Sequence, residues 1–122
     1  MGTETPLRML VDARLITCIL PDDGTHKSLL QDLRSRGKTN RVFSHSCLGI
    51  DVFADAKVKP GTLPDAYLVR VVQIVAKTEE ADELFEYVHE IAQIDRPGGG
   101  LIMQAPLIAS TLYELPEGLP EA

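Results

Sequence analysis

The segment DRPGGG at residues 95–100 combines an arginine with three successive glycines. Glycine accepts positive φ and a close approach of the backbone, so the N–H groups of such a turn can converge on an anion. Arg96 adds a planar guanidinium that suits a phosphate or a carboxylate. The other interpretation is a flexible turn whose glycine ends the preceding helix. The segment is thus a candidate anion-binding turn, and the structural explanation stays open.

A second set of reactive side chains lies in the sequence SHSC at residues 44–47. On a strand, His45 and Cys47 point to the same face, as a catalytic thiol and its base or a pair of metal ligands would. His26 and His89 are distant candidates for completing a metal site. No third residue that would orient the histidine is evident. The simpler interpretation is an edge strand with a polar face and one half-buried thiol.

Arg70 stands in the middle of the most apolar predicted strand, where a charge needs a partner. A structural ion pair is the first expectation, and a bound ligand or a subunit boundary is the next. Cys18 lies within an apolar run and is expected to be a small core residue. The acidic residues from Glu79 to Glu90 fit a solvated helix face. The sequence has no Walker loop, Rossmann fingerprint or HExxH motif.

The elements that position these residues follow from periodicity and turn residues. A loop at residues 50–66 contains two proline turns, and a loop of that length is typically functional or disordered. The predicted N-cap residues are Asp23 or Thr25 for the first helix and Thr78 for the second, and Gly37 follows the first helix at the position where a helix often ends. The predicted strands are Arg14–Leu20, Asn40–Ile50, Tyr67–Ala76 and Leu101–Gln104, and the predicted helices are Thr25–Arg36 and residues 78–92.

This order, β-α-β-loop-β-α-β, predicts an α+β, ferredoxin-like split βαβ fold with an antiparallel sheet. Right-handed connections place both helices on one face of that sheet. In the first strand Leu15 and Ile19 point to one face, while Ile16, Cys18 and Leu20 point to the other. The third strand is apolar on both faces in the same way. Because no third helix is available as cover, we expect a second copy of the chain to provide it.

Composition limits the function classes. The chain has 122 residues, with 18 acidic and 12 basic side chains and a net charge of −6, which fits one domain, 1–122, with a core at about 13–112 and a frayed tail at 116–122. The charge opposes nucleic acids and anionic membranes as partners. Two cysteines exclude a disulfide scaffold. Since we find no signal peptide and no apolar stretch long enough to span a bilayer, we expect a soluble, cytoplasmic location without membrane insertion.

The chain resembles the nitrogen-regulatory PII family over about residues 13–112. The motifs that carry the resemblance are RLITCIL before Pro21, CLG at residues 47–49, and DRPGGGLIMQAPL at residues 95–107. The last motif is similar to a subgroup of PII-like proteins more than to the nitrogen regulators proper. CutA-type trimers share the fold but match the glycine turn less well.

The resemblance implies a homotrimer whose sheets face inward, with small effectors, typically adenine nucleotides, in clefts between subunits. It also implies signal transduction without enzymatic activity, in which residues 50–66 dock on a regulated protein such as a transporter or an enzyme. No cofactor is required. By position, the effector-binding candidates that the resemblance implies are Gly49, Asp51, Arg70, Arg96, Gly98, Gly99 and Gly100.

The sequence departs from the family pattern at positions that contact phosphate. Leu101 replaces the family lysine after the glycine turn, and Leu112 and Glu114 replace arginines of the C-terminal segment. Asp51 replaces a glutamine at the base of the loop, and a carboxylate there repels an anion unless a metal intervenes. Arg70 keeps a cation where the family has lysine. These departures predict a weak affinity for triphosphates and leave open a smaller ligand or none.

Three function classes remain, in descending order of support. The first is a PII-like regulatory trimer. The second is a CutA-like or efflux-associated metal-binding trimer that uses His45 and Cys47 as weak metal candidates. The third is an enzyme with Cys47 as nucleophile.

Overall fold

The computed structural model describes residues 12–36, 41–50 and 66–111. The predicted order of elements is confirmed. The first, third and fourth strands extend by one or two residues beyond at least one predicted end, whereas the second begins at Arg41, one residue after its predicted start. The tail at 116–122, Gly37 and the interior of the predicted loop lie outside the described residues. The elements are β1 (Ala13–Pro21), α1 (Thr25–Ser35), β2 (Arg41–Ile50), β3 (Ala66–Lys77), α2 (Thr78–Ile91) and β4 (Leu101–Pro106).

The four strands form one antiparallel sheet in the order β2-β3-β1-β4, which confirms the predicted ferredoxin-like fold. In the two central strands Ile16 lies opposite Ile74, and Gln104 of β4 lies on the other side of Ile16. The register therefore places the even-numbered residues of all four strands on one face. Odd-numbered residues share the opposite face.

Both helices pack on the even-numbered face, as predicted. Every member of the core cluster is at most 7% exposed, and β1, β3 and the two helices all contribute. The members are Ile16, Cys18, Leu20, Leu29, Leu33, Val72, Ile74, Ala76, Ala81, Leu84, Val88 and Ala92. Burial of these apolar side chains supplies the main favourable free energy of folding for the single chain.

The odd-numbered face of the sheet, which we call the open face, is apolar too. Its side chains include Leu15, Ile19, Val69, Val71, Val75, Phe43, Leu101 and Met103. Phe43 is 47% exposed, Leu101 50% and Met103 43%. No described element lies over this face. The two-sided apolar pattern of the strands is thus present in the fold, and one of the two apolar faces has no cover within the described chain.

The helices begin at Thr25 and Thr78, but the N-cap residue of each differs by one position from the predicted one. The residue before α1 is Gly24, with a φ of 92° that suits glycine, and Asp23 stabilises the first turn from one position earlier. The residue before α2 is Lys77, not Thr78, because Lys77 has an extended backbone and Thr78 is already helical. The Thr78 N–H donates to the Asp12 carbonyl. Within the described residues, no helix is long and apolar enough to cross a membrane.

Candidate functional site

A cleft of about 630 Å³ opens at the end of the sheet where β1 ends and β3 and β4 begin. Its walls are mainly apolar. The lining residues include Leu20 of β1, Tyr67 and Leu68 of β3, Leu101 of β4 and Asp22 of the turn before α1. A concave, mostly apolar site with few polar groups is the usual form of a small-molecule site. The cleft is therefore the candidate functional site.

The glycine turn forms one side of this cleft through Gly98 and Gly100. Their φ values are 72° and 104°. A Cβ on Gly99 would lie 2.6 Å from the Gln93 carbonyl oxygen, and a Cβ on Gly100 would overlap the Ile19 carbonyl oxygen. The glycines are thus needed to pack the turn against β1, which supports the structural explanation of the motif.

The turn also retains the groups that a ligand would need. Among the described residues, no backbone carbonyl accepts from the N–H groups of Gly98 or Gly100. A Cβ on Gly98 would meet nothing within 4 Å. The turn therefore combines two N–H groups without backbone acceptors and open space beside the first of them.

Arg70 takes part in an ion pair with the turn that follows β1. Its Nε donates to Oδ1 of Asp22 at 2.9 Å. The register explains the pair, because Arg70 lies opposite Leu20 and Asp22 comes two residues later. Asp22 lines the cleft, whereas Arg70 is not one of the lining residues. The ion pair expected from the sequence is present, and its partner is a carboxylate that we did not select as a site residue.

Arg96 binds the next residue of the same turn. Its Nη2 donates to Oδ2 of Asp23 and to Oγ1 of Thr25, both at 2.8 Å. Oδ1 of Asp23 accepts from the Thr25 hydroxyl at 2.6 Å and from the Thr25 N–H at 3.1 Å. These two bonds, and then Arg96, lower the pKa of Asp23 to about 2. Asp23 thus links the glycine turn to the start of α1.

Arg96 also borders a separate hollow of about 490 Å³ beside the end of α2. Glu86, Glu90 and Asp95 line that hollow, and His89 Nε2 lies 3.1 Å from Asp95 Oδ1. The structure thus places Arg96 away from the lining of the apolar cleft, although it belongs to the same turn as Gly98.

The other site candidates lie around the cleft or outside the described residues. Gly49 is opposite Tyr67 in the β2–β3 pair, so it stands one strand away from the cleft wall. Gly99 is buried within the turn, and Asp51 lies outside the described residues. Gly98 and Gly100 are thus the predicted site residues that line the cleft.

Two carboxylates of the site, Asp22 and Asp23, were missed by sequence reasoning, which assigned them only to a turn and to a helix start. The available signal was their position directly after β1, at the sheet end where the antiparallel β3 brings Arg70. A third residue here, His26, is 7% exposed, and its Nδ1 has no partner among the described residues. Burial lowers the pKa of His26, and the positive charge of Arg70 adds to this effect.

The thiol and histidine candidates are dispersed. His45 and Cys47 lie on the open face of β2, an edge strand, and Cys47 is exposed rather than half-buried as predicted, because no described element covers it. Cys18 is buried in the core, as predicted, and burial raises its pKa to about 11. The described residues contain no group of three or more His, Cys, Asp or Glu side chains that could hold a metal ion.

No protein-family model matches the chain, and no curated protein matches it in sequence. Solved structures do match it in fold. GlnK of B. subtilis in complex with ATP is 16% identical, with a TM-score of 0.54 over 79% of this chain and 82% of that one. A second B. subtilis GlnK structure is 16% identical, with a TM-score of 0.53 over 80% of this chain and 86% of that one.

Arabidopsis thaliana PII bound to citrate is 14% identical to this chain. Its TM-score is 0.60, over 80% of this chain and 78% of the PII chain. The predicted resemblance to PII proteins is thus confirmed for the fold, and the chain has a PII-like fold.

Proposed function

We propose that this chain is a PII-type regulatory protein. As a homotrimer it binds a small effector in clefts between subunits and acts on a partner protein, a transporter or an enzyme, through residues 50–66. The observation that carries the proposal is the position of an apolar cleft in a PII-like fold. The cleft lies where the glycine turn and the base of the loop approach each other. We propose that the protein is cytoplasmic and has no enzymatic activity of its own.

The open face supports the assembly. Large apolar side chains such as Phe43, Leu101 and Met103 are between 43% and 50% exposed there. Contiguous exposed apolar surface of this kind is typical of a protein–protein interface. Further copies of the same face are suitable cover, since they bring equal apolar area and no unpaired charge from the centre of the sheet.

Adenine nucleotides are the first effector candidates. One protein of the same fold, B. subtilis GlnK, has a structure in complex with ATP. In this chain the N–H groups of Gly98 and Gly100 offer donors at the cleft. Gly49, Asp51, Arg70, Arg96 and Gly99 stay candidate effector-binding residues around it.

The loop connects the cleft to the proposed partner. Ile50 and Ala66 are cross-strand partners, so the two ends of segment 51–65 are held together by the β2–β3 pair. Tyr67 and Leu68 follow directly and line the cleft. A ligand that contacts these two residues therefore acts at the base of the loop. Binding can then shift the loop between conformations with different affinity for the partner.

Calorimetry with ATP, ADP, AMP and cyclic AMP tests the proposal. We expect saturable binding of at least one of them, with one site per chain. Leu68→Glu places a charge in the cleft wall and should abolish binding. Ser28→Glu introduces the same charge on the exposed surface of α1 and should leave binding unchanged. A trimeric protein that binds none of the four compounds contradicts the nucleotide proposal.

A further inference from the structure

We propose that Asp22 in the cleft wall, together with the pairing of the nearby arginines to Asp22 and Asp23, makes the cleft selective for uncharged ring compounds of nucleobase size and against polyphosphates. This inference rests on the proposed function and deepens it, because it names the chemical class of the effector. Under this proposal an adenine nucleotide is recognised through its base and ribose. Its phosphates contribute no net affinity.

The charge of the cleft wall is the first observation. Of the described residues that line the cleft, Asp22 supplies the one carboxyl group, and none supplies a basic side chain. The residue after the glycine turn is Leu101, so this wall is apolar. A phosphate that enters the cleft therefore loses part of its hydration without gaining a cation, and it approaches a carboxylate.

The nearby cations are already paired. Arg70 is held by Asp22 at 2.9 Å, and Arg96 is held by Asp23 and Thr25 at 2.8 Å. Each pair has no net charge. To bind a phosphate, either arginine has to leave its carboxylate, and that carboxylate then repels the incoming anion.

Asp23 competes with any anionic ligand for Arg96. It accepts two hydrogen bonds from Thr25 at the start of α1, so its position does not depend on the arginine. Its pKa of about 2 keeps it ionised at any physiological pH. The local charge of the turn is therefore fixed and does not adapt to an anionic ligand by protonation.

The rest of the cleft suits a flat ring. Leu20, Leu68 and Leu101 offer apolar contact, and the Tyr67 side chain adds an aromatic surface at the base of the loop. The N–H groups of Gly98 and Gly100 offer donors to acceptor atoms on the ring edge. A volume of about 630 Å³ is within the usual range for small-molecule sites, about 300–1,000 Å³.

A phosphate series tests the selectivity. Calorimetry with adenosine, AMP, ADP and ATP should show that adenosine binds the wild-type protein at least as tightly as ATP. The double variant Asp22→Asn/Asp23→Asn removes the carboxylate from the cleft wall and leaves Arg70 and Arg96 without their carboxylate partners. It should raise the affinity for ATP relative to adenosine by about tenfold, since the wall then carries no negative charge and the Arg70 charge next to it is no longer neutralised. Asp82→Asn, which removes the carboxylate paired with Arg14, should leave the ratio unchanged.

A second variant does not disturb the ion pairs. Leu68→Lys places a cation in the cleft wall at a position that is 44% exposed and does not belong to the open face, and it should also raise the ATP-to-adenosine affinity ratio. If the double variant fails to fold, this substitution decides the test. No change in the ratio for Leu68→Lys contradicts the proposed role of wall charge.

The remaining outcomes separate this inference from the proposed function. Wild-type binding of ATP ten times tighter than adenosine overturns the inference and leaves the proposed function standing. If none of the four compounds binds, the adenine version of the proposed function fails. The neutral ring probe indole, followed by ligand-observed NMR, then decides the inference. Saturable indole binding that Leu68→Glu removes supports it, and the absence of such binding overturns it.

Discussion

The helix-covered face of the sheet and the open face are built from neighbouring residues of the same strands, but they differ in what shields them from water. Ile16, Ile74 and Val72 on the covered face are completely buried by α1 and α2. On the open face, Phe43, Leu101 and Met103 keep between 43% and 50% of their surface exposed. Apolar content alone therefore does not define the core of one chain. The open face has the composition of a core that several chains share.

The largest expected effect comes from substitutions at two adjacent residues of β3, one on each face of the sheet. Ile74→Ala removes a fully buried side chain and should lower the free energy of unfolding of the chain by about 3 kcal/mol, because it leaves a cavity under the helices. Val75→Ala alters the open face and should act mainly on association. Urea unfolding at several protein concentrations separates the two effects. The comparison would be contradicted if both variants lost the same free energy of unfolding and Val75→Ala left the association of the chains unchanged.

The reactivities of the two cysteine thiols compare the covered face with the open face, because Cys18 lies on the first and Cys47 on the second. Burial raises the pKa of Cys18 from 9.0 to about 11, which lowers its thiolate fraction by about 100-fold at neutral pH, whereas Cys47 is exposed. The single-thiol variant Cys47→Ser should therefore react with a disulfide reagent far more slowly than Cys18→Ser. Each rate should be measured in the native protein and in urea. Equal native rates would show that the covered face is not closed.

The smallest expected effect is a change in stability at low pH, and it comes from Asp23, which lies just before α1. The folded-state pKa of Asp23 is lowered from 3.8 to about 2, mainly by the two hydrogen bonds from Thr25. Its stabilising contribution is therefore present above about pH 4 and is lost as the pH falls towards 2. Because Asp23 is partly exposed, this contribution is modest. We therefore expect the melting temperature of Asp23→Asn to fall less steeply than that of the wild-type protein between about pH 4 and pH 2, the acid limb of the stability profile.

A matched carboxylate provides the control for the acid prediction. Glu90 is exposed on α2, and Glu90→Gln should leave the acid limb as it is in the wild-type protein. An Asp23→Asn variant with an unchanged acid limb would mean that other carboxylates govern stability at low pH.

The sequence was sufficient to predict the order of the elements and the two-sided strands, because both depend on local periodicity. The predicted N-cap residues were wrong by one position, since Gly24 and Lys77 precede the helices. An extended or left-handed residue before a helix has a weak sequence signal when no side-chain cap is present. Cys47 was predicted to be half-buried, but its burial depends on what covers an edge strand, and local pattern does not contain that information.

The site was predictable only in part, for a physical reason. An ion pair for Arg70 was the first expectation, but Asp22 becomes its partner only once the register places Leu20 opposite Arg70. Arg96 and Gly98 are two residues apart, yet they border different hollows because the turn reverses the chain between them. Which hollow each of these residues borders depends on the backbone φ values of the turn. In the sequence, only the glycines indicated that these φ values could be unusual.

The central claim, that the open face is the interface of a homotrimer, is tested most directly by sedimentation equilibrium. The wild-type protein should have about three times the 13.4 kDa mass of one chain. Met103→Glu, which places a charge on the open face, should dissociate it, and Ser28→Glu on α1 should not. A wild-type protein that stays monomeric at micromolar concentration, or a Met103→Glu variant that remains trimeric, would contradict the claim.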